Sequence, residues 1–458
     1  MPGPIHYSAK SATVHGPVNI VYVGLAALVA ATSGVLFGFD IAVINGALLF
    51  LRQQFGLSEV ETEFAASSLL AGCVAGAAVG GWISDRIGRR KVLIYSAILF
   101  ALSSVGAALP RNLAEFTVAR VLGGIAIGAA SVLAPLYIAE VSPPHIRGRL
   151  VSLNQMAIVT GILMAYVVNW GLASIGEQSW RWMFAVAAIP SVLFLVALFF
   201  VPESPRWLTE QGREDEARHV LTRVSNAETA ALQMAEIKEA IAEESGTLAE
   251  LFEPGYRKAL GLAVALAVLQ QWTGVNTVLF YGAVILKEVV GGHSESSALG
   301  ANVLIGMVNF VATIVAIWLI DKVGRRALLI GSAAGMVVAH AGLALAFWCK
   351  WPPMVVVALM ITLSGSFAVG LGPGVWVVLS EIFPTRIRGR AMSIATVSLW
   401  IACVVLTFTF LSIASALGPS GAYTIYAVMC VITIVIVWKW TPETKGHTLE
   451  EIERLWKE

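Results

Sequence analysis

The sequence predicts an all-α membrane protein of twelve transmembrane helices in two pseudo-symmetric six-helix bundles. Three observations carry this. Apolar residues make up 57% and charged residues 13% of the 458 positions, with a mean hydropathy of +0.79. A soluble chain of that length would need far more polar surface to cover its core. Twelve apolar runs approach or exceed the ~20 helical residues that a bilayer core of roughly 30 Å requires. The charged motifs at the ends of those runs also recur once along the chain at a nearly constant spacing.

Residues 1–18 form a polar N-terminal segment. The first run, 20–51, is too long for a signal-peptide core, so the first helix is expected to stay in the membrane uncleaved. Runs at 62–84, 92–109, 114–140, 150–173 and 180–201 complete a first bundle over 19–205. Within it Gly72, Gly76 and Gly80, spaced by four, predict a smooth face for close helix packing. The interval 206–256 is charged. Ala217, Val220 and Leu221, then Leu232, Ile237 and Ile241, recur there at helical spacing and predict short amphipathic helices; a plain solvated linker is the alternative. Runs at 258–287, 297–320, 327–348, 354–382, 391–416 and 421–440 build a second bundle over 257–440, followed by a tail, 441–458. Gly274 interrupts the seventh run, and Gly370, Gly372, Pro373 and Gly374 the tenth, as in helices that bend where backbone lines a cavity.

The repeat is explicit. Asp85-Arg86-Ile87-Gly88-Arg89-Arg90 returns as Asp321-Lys322-Val323-Gly324-Arg325-Arg326, offset by 236 residues. Glu140 with Arg147-Gly148-Arg149 returns as Glu381 with Arg388-Gly389-Arg390, offset by 241, and Pro202-Glu203 as Pro442-Glu443, offset by 240. A six-helix unit duplicated in parallel explains all three. These motifs, the interval 206–256 and both termini fall on one side of the alternating spans. The loops of the other side hold only Arg52, Arg111, Arg181, Lys287 and Lys350. Positive residues favour the cytoplasm, so a multi-pass protein with both termini cytoplasmic is expected, in a plasma membrane or a bacterial inner membrane.

Ionisable residues inside a span are costly and mark function. Asp40 and Arg120 are the two, and pairing them is the cheapest arrangement. Low-dielectric burial disfavours the carboxylate while a guanidinium favours it, so motion that changes their separation switches protonation. The pair is thus a candidate proton site, with a static helix lock as the alternative. Gln270, Gln271 and Asn276 in the seventh span, Asn309 in the eighth and Gln155 in the fifth can each donate and accept, as reading neutral hydroxyls requires. Trp376 and Trp400 offer flat apolar walls for a sugar ring. Arg89, Arg90, Arg147, Arg325, Arg326 and Arg388 share a depth with Glu140 and Glu381, which suggests ion pairs that clamp the bundles on the cytoplasmic side. His340 reads as a helix–helix contact rather than a proton relay. Cys73, Cys349, Cys403 and Cys430 stand singly and predict small apolar packing. No phosphate-binding loop, HExxH or cysteine–histidine cluster is present, which argues against ATP hydrolysis, a metal centre or any cofactor. A net charge of +1 gives no footprint for nucleic acid.

These motifs resemble the sugar porter family of the major facilitator superfamily. The markers are GWISDRIGRR (81–90), PLYIAEVSPPHIRGR (135–149), PESPR (202–206), QQWTGVNTVLFY (270–281), DKVGRR (321–326), EIFPTRIRGR (381–390) and PETKG (442–446). The resemblance implies the major facilitator fold and alternating access around a central site, with Gln155, Gln270, Gln271, Asn276, Asn309, Trp376 and Trp400 holding sugar. Asp40 in Phe37-Gly38-Phe39-Asp40 resembles the acid of bacterial and plant proton symporters, where facilitative glucose transporters carry a neutral amide. Proton-coupled uptake of a pentose or hexose by a functional monomer is therefore expected. A passive facilitator of sugars or polyols, with Asp40–Arg120 purely structural, is the alternative. A nutrient sensor on the same fold would be expected to carry a longer tail than 441–458. Phe280, where the family usually has a Tyr, and Leu399, in place of a Gln or Asn, suggest a sugar less fully hydrogen-bonded at that end.

Overall fold

The computed structural model describes residues 18–243, 248–289, 295–383 and 385–445, so most of the two terminal segments lies outside the described residues. The first half contains α1 (Ile20–Phe55), α2 (Glu59–Ile87), α3 (Arg89–Ala108), α4 (Leu113–Val141), α5 (Pro144–Leu172), and a sixth span made of α6 (Ser179–Val186) and α7 (Ala188–Leu198). Side chains at the boundaries explain several starts. Asn19 caps α1 on the Tyr22 amide at 3.0 Å, Ser58 and Glu61 form a capping box on α2, and Asn112 caps α4.

Three short helices follow: α8 (Pro205–Glu210), α9 (Glu214–Val224) and α10 (Ala227–Glu243). Trp207, Leu208, Ala217, Val220, Leu221, Ala230 and Met234 give them a small core of their own. The indole of Trp207 donates to the Asp85 carbonyl at 2.9 Å, and the Asn19 amide to the Val224 carbonyl at 2.8 Å, which fastens this unit to the first half.

The second half contains α11 (Pro254–Trp272), α12 (Val275–Val289), α13 (Glu295–Val323), α14 (Arg325–Trp348), α15 (Pro353–Val369), α16 (Leu371–Glu381) and α17 (Thr385–Trp440). Among the described residues eleven stretches are long and apolar enough to cross a membrane, and the last covers Ile387–Trp440, 54 residues. At ~1.5 Å per residue that is more than twice a bilayer core. Its backbone leaves helical geometry at Gly418 (φ 72°, ψ 159°), just before Pro419. It is two spans joined by a tight turn, which makes twelve among the described residues.

The halves are built alike. Backbones approach closely between α2 and α4, where a Cβ added at Gly72 or Gly76 would strike the carbonyl of Val121 or Ile125, and one at Gly80 would meet Ala129 Cα at 2.8 Å. Only hydrogen fits there. Across the halves α1 packs on α12, α2 on α17 and α5 on α13. Hereafter the face carrying α8–α10 is called the linker end and the opposite face the far end.

Candidate functional site

At the centre of the first half the Arg120 guanidinium of α4 donates through Nη1 to Asp40 Oδ1 of α1, and through Nη2 to the Asp40 carbonyl at 3.3 Å. Both residues are buried, and the Phe184 ring lies 5.1 Å beneath the guanidinium. Asp40 Oδ2 and Arg120 Nε are buried without a hydrogen-bond partner. One carboxylate oxygen is thus bound and the other is open to a proton.

The amides of the second half are held by its broken helices. At Gly370 (φ −137°, ψ −68°) the α15–α16 span loses its regular ladder. Ser332 Oγ mends it, accepting from the Leu371 amide at 3.0 Å and donating to the Ser366 carbonyl at 2.7 Å. Gln270 Nε2 donates to the carbonyls of Leu371 and Gly372 at 2.8 and 3.0 Å, just past the break. Gln271 donates to Gln270 Oε1 at 3.2 Å, and Asn276 Nδ2 donates to Gln271 Oε1 at 2.5 Å. These three amides form one chain of hydrogen bonds. Asn309 is apart from it, donating to Ser364 Oγ at 3.0 Å.

The α11–α12 break lies at Gly274 (φ +81°), where a Cβ would collide with the Tyr426 ring. The Thr277 amide bonds to the Gly274 carbonyl, which frees that of Thr273, and His340 Nε2 occupies it at 2.7 Å. The expected helix–helix contact at His340 is therefore a brace on a hinge.

Trp400 is buried, meets Phe37 of α1 edge-on at 5.4 Å, and leaves its indole N–H unpartnered. Trp376 and Gln155 are half-exposed. Residues 146–160 of α5, Val159 excepted, are all half-exposed or more. The amides of Gln270, Gln271, Asn276 and Asn309 are themselves buried.

The far end is shut. Asn45 of α1 donates to the Val278 and Leu279 carbonyls at 3.0 and 2.8 Å and accepts from the Ala283 amide at 2.9 Å and Asn302 Nδ2 at 3.1 Å. It thereby engages both ends of the rung that would join Ala283 N–H to Leu279 C=O. Tyr166 of α5 reaches the Leu279 carbonyl at 3.4 Å. Glu63 of α2 accepts from the amide and hydroxyl of Ser412 in α17, at 2.8 and 2.6 Å. None of Asn45, Asn302 and Glu63 is singled out by the sequence. A lone amide or a carboxylate near a run's end hardly changes its average hydropathy.

The charged motifs at the linker end pair within each half. Arg89 Nε and Nη2 meet Glu140 at 3.2 and 3.3 Å, and Arg325 meets Glu381 at 3.3 and 3.1 Å. Glu203 accepts from the Arg90 amide at 3.1 Å, while Glu443 accepts from the Arg325 and Arg326 amides at 3.0 and 3.1 Å. Each glutamate thus supplies the cap that Gly88 and Gly324 lack. The Arg90 guanidinium binds the Leu198 and Phe199 carbonyls, and that of Arg326 the Trp438 carbonyl. Arg388 donates to the Phe383 carbonyl at 3.2 Å, and Arg147 is exposed. In this conformation these ion pairs fasten helices inside a bundle rather than one bundle to the other.

A family model described as sugar (and other) transporter matches residues 26–456. The chain is 38% identical over 477 aligned positions, covering 96% of each sequence, to the D-xylose-proton symporter of Escherichia coli (strain K12). It is 36% identical over 443 positions, covering 95% of each, to the arabinose-proton symporter of Bacillus subtilis (strain 168). A solved structure titled as the inward open conformation of the E. coli xylose transporter superposes with a TM-score of 0.83 at 36% identity, covering 95% of this chain and 100% of that one.

Proposed function

The chain belongs to the sugar transporter family, and on that footing we propose that it is a secondary active transporter moving a monosaccharide, a pentose or hexose, together with a proton by alternating access. The observation that carries the coupling is the buried Asp40–Arg120 pair with Asp40 Oδ2 left unpartnered. A proton arriving on Asp40 removes the charge that Arg120 binds and loosens α1 from α4. Its release restores the ion pair, so rearrangement of the bundles and proton occupancy are linked.

The sugar is held between the halves. Gln271 and Asn276 keep hydrogen-bonding capacity beyond the chain they form. Trp376 and Gln155 are half-exposed, and Trp400 offers an unmet N–H beside the Phe37 ring. Gln270 and Asn309 act by fixing backbone and neighbour. The linker end is assigned to the cytoplasm with both termini on that side, in a plasma or bacterial inner membrane, and the working unit is one chain. Arg89, Arg90, Glu140, Arg147, Arg325, Arg326, Glu381 and Arg388 ring the linker end, where closure brings the two charged sets together as the inner gate.

The test is Asp40→Asn in proteoliposomes. Accumulation against a gradient driven by an imposed pH difference should vanish, while sugar exchange at equilibrium survives. Equal loss of both would remove the coupling role. Retained accumulation would favour the facilitator reading, in which the pair only locks α1 to α4.

A further inference from the structure

Among the described carboxylates the side chains of Asp40, Glu63 and Glu140 are all buried, with Asp40 3% and Glu63 1% exposed as whole residues; Glu140 is paired with Arg89. Asp40 has Arg120. Glu63 has no ion-pair partner among the described residues and is held instead by Ser412 of the opposite half. Both of its oxygens accept, one from a backbone amide of α17 and one from a hydroxyl. We propose that Glu63 is the latch of the far-end gate, a positioning residue whose docking on Ser412 holds the transporter closed on that side. The proposal rests on the transporter reading but not on proton coupling or on which sugar is carried.

The choice of residue argues for a moving contact. A permanent seam between α2 and α17 would be better made from apolar side chains, because a carboxylate loses its hydration on burial. That loss is regained whenever α2 and α17 part and water reaches the carboxylate. Two charge-assisted hydrogen bonds offset it when they meet. The closed and open states therefore stay near in free energy, as a cycling gate requires. Asn45 alone does not supply this. Its partners on α12 are backbone groups that it grips from the side, so α12 and α1 can move together, whereas Glu63 and Ser412 must separate for the far end to open.

The experiment measures the gate directly. Spin labels are placed at Val60→Cys and Leu417→Cys, exposed positions on α2 and α17 near the far end, with the four native cysteines replaced by alanine. Distances are read without sugar or a pH gradient. Glu63→Ala is expected to raise the ratio of the long-distance to the short-distance population by about ten-fold, and Ser412→Ala, which removes only the hydroxyl, by about three-fold. Unchanged distributions in variants that melt like the parent would overturn the latch. Should Glu63→Ala fail to fold, Ser412→Ala alone decides. Because no substrate or proton gradient enters the measurement, its failure leaves the symport reading standing, and a failed Asp40→Asn test leaves the latch standing.

Discussion

Gln270 and Asn276 lie six positions apart on one span, yet their surroundings assign them different work. Gln270 is 2% exposed and its Nε2 is engaged by two carbonyls of α16. Gln270→Leu removes both hydrogen bonds, each worth about 1 kcal/mol, and is expected to lower the melting temperature. Asn276 bonds only to side chains, Gln271 and Cys403. Asn276→Ala should leave melting close to the parent and weaken sugar binding about ten-fold, measured by calorimetric titration. A reversed pattern would mean that the structure and the sugar exchange these roles. Asp40 and Arg120 are legible in the sequence because a charge within hydrocarbon demands a partner. Gln270 is legible as polar but not as a backbone clamp, since its partners lie some hundred residues away and become neighbours only on folding. Asn45 and Glu63 escape notice for a related reason. Their meaning resides wholly in the facing helix.

At the scale of the element, glycine is the readable signal. The sequence places breaks at Gly274 and Gly370, and the structure finds both, because each carries a geometry or a close approach that a side chain would obstruct. What the sequence leaves unstated is how each break is repaired. Ser332 mends one and His340 braces the other. His340→Leu leaves the buried Thr273 carbonyl only the weak Cys430 thiol at 3.7 Å, a loss of about 1 kcal/mol or more. His340→Gln, which can still donate, should recover much of it in thermal unfolding, and equal damage from both would reduce the brace to packing. The glycine face of α2 is a sharper case. Gly76→Val would force a side chain onto the Ile125 carbonyl, and separating α2 from α4 should cost about 3 kcal/mol or prevent folding. Gly81, one position from that face, has open space around it, so Gly81→Ala should be tolerated. Comparing the expression and melting of the two variants checks this. Helix ends were less readable than helix centres: α1 runs to Phe55, beyond its apolar run, since a helix continues past hydrocarbon wherever its polar end is hydrated.

The whole molecule repeats itself, and the internal duplication makes that legible in the sequence alone. The conformation was not legible, because one sequence must serve both the open and the closed state. The repeat nonetheless makes a whole-molecule claim testable. Glu203 and Glu443 occupy equivalent places. Partial burial pushes the Glu443 carboxyl up, but the amides of Lys445, Arg325 and Arg326 outweigh it and hold it below its ordinary value. Its stabilisation is complete above the usual glutamate range, ~4.5, and fades as pH falls through the lowered folded value. The melting difference between the parent and Glu443→Gln should therefore shrink on acidification below that range, and a difference that grew would contradict the capping role. The paired charges extend the claim from one half to both. Arg89–Glu140 lies within the first half and Arg325–Glu381 within the second, so Glu140→Gln and Glu381→Gln should be additive in stability within about 0.5 kcal/mol. Under conditions that close the linker end, the two sets meet and additivity should fail. A double-mutant cycle measured in both conditions separates clamps that act inside each bundle from a gate that acts between them. Additivity in both states would confine these charges to the bundles and leave closure of the inner mouth to apolar packing.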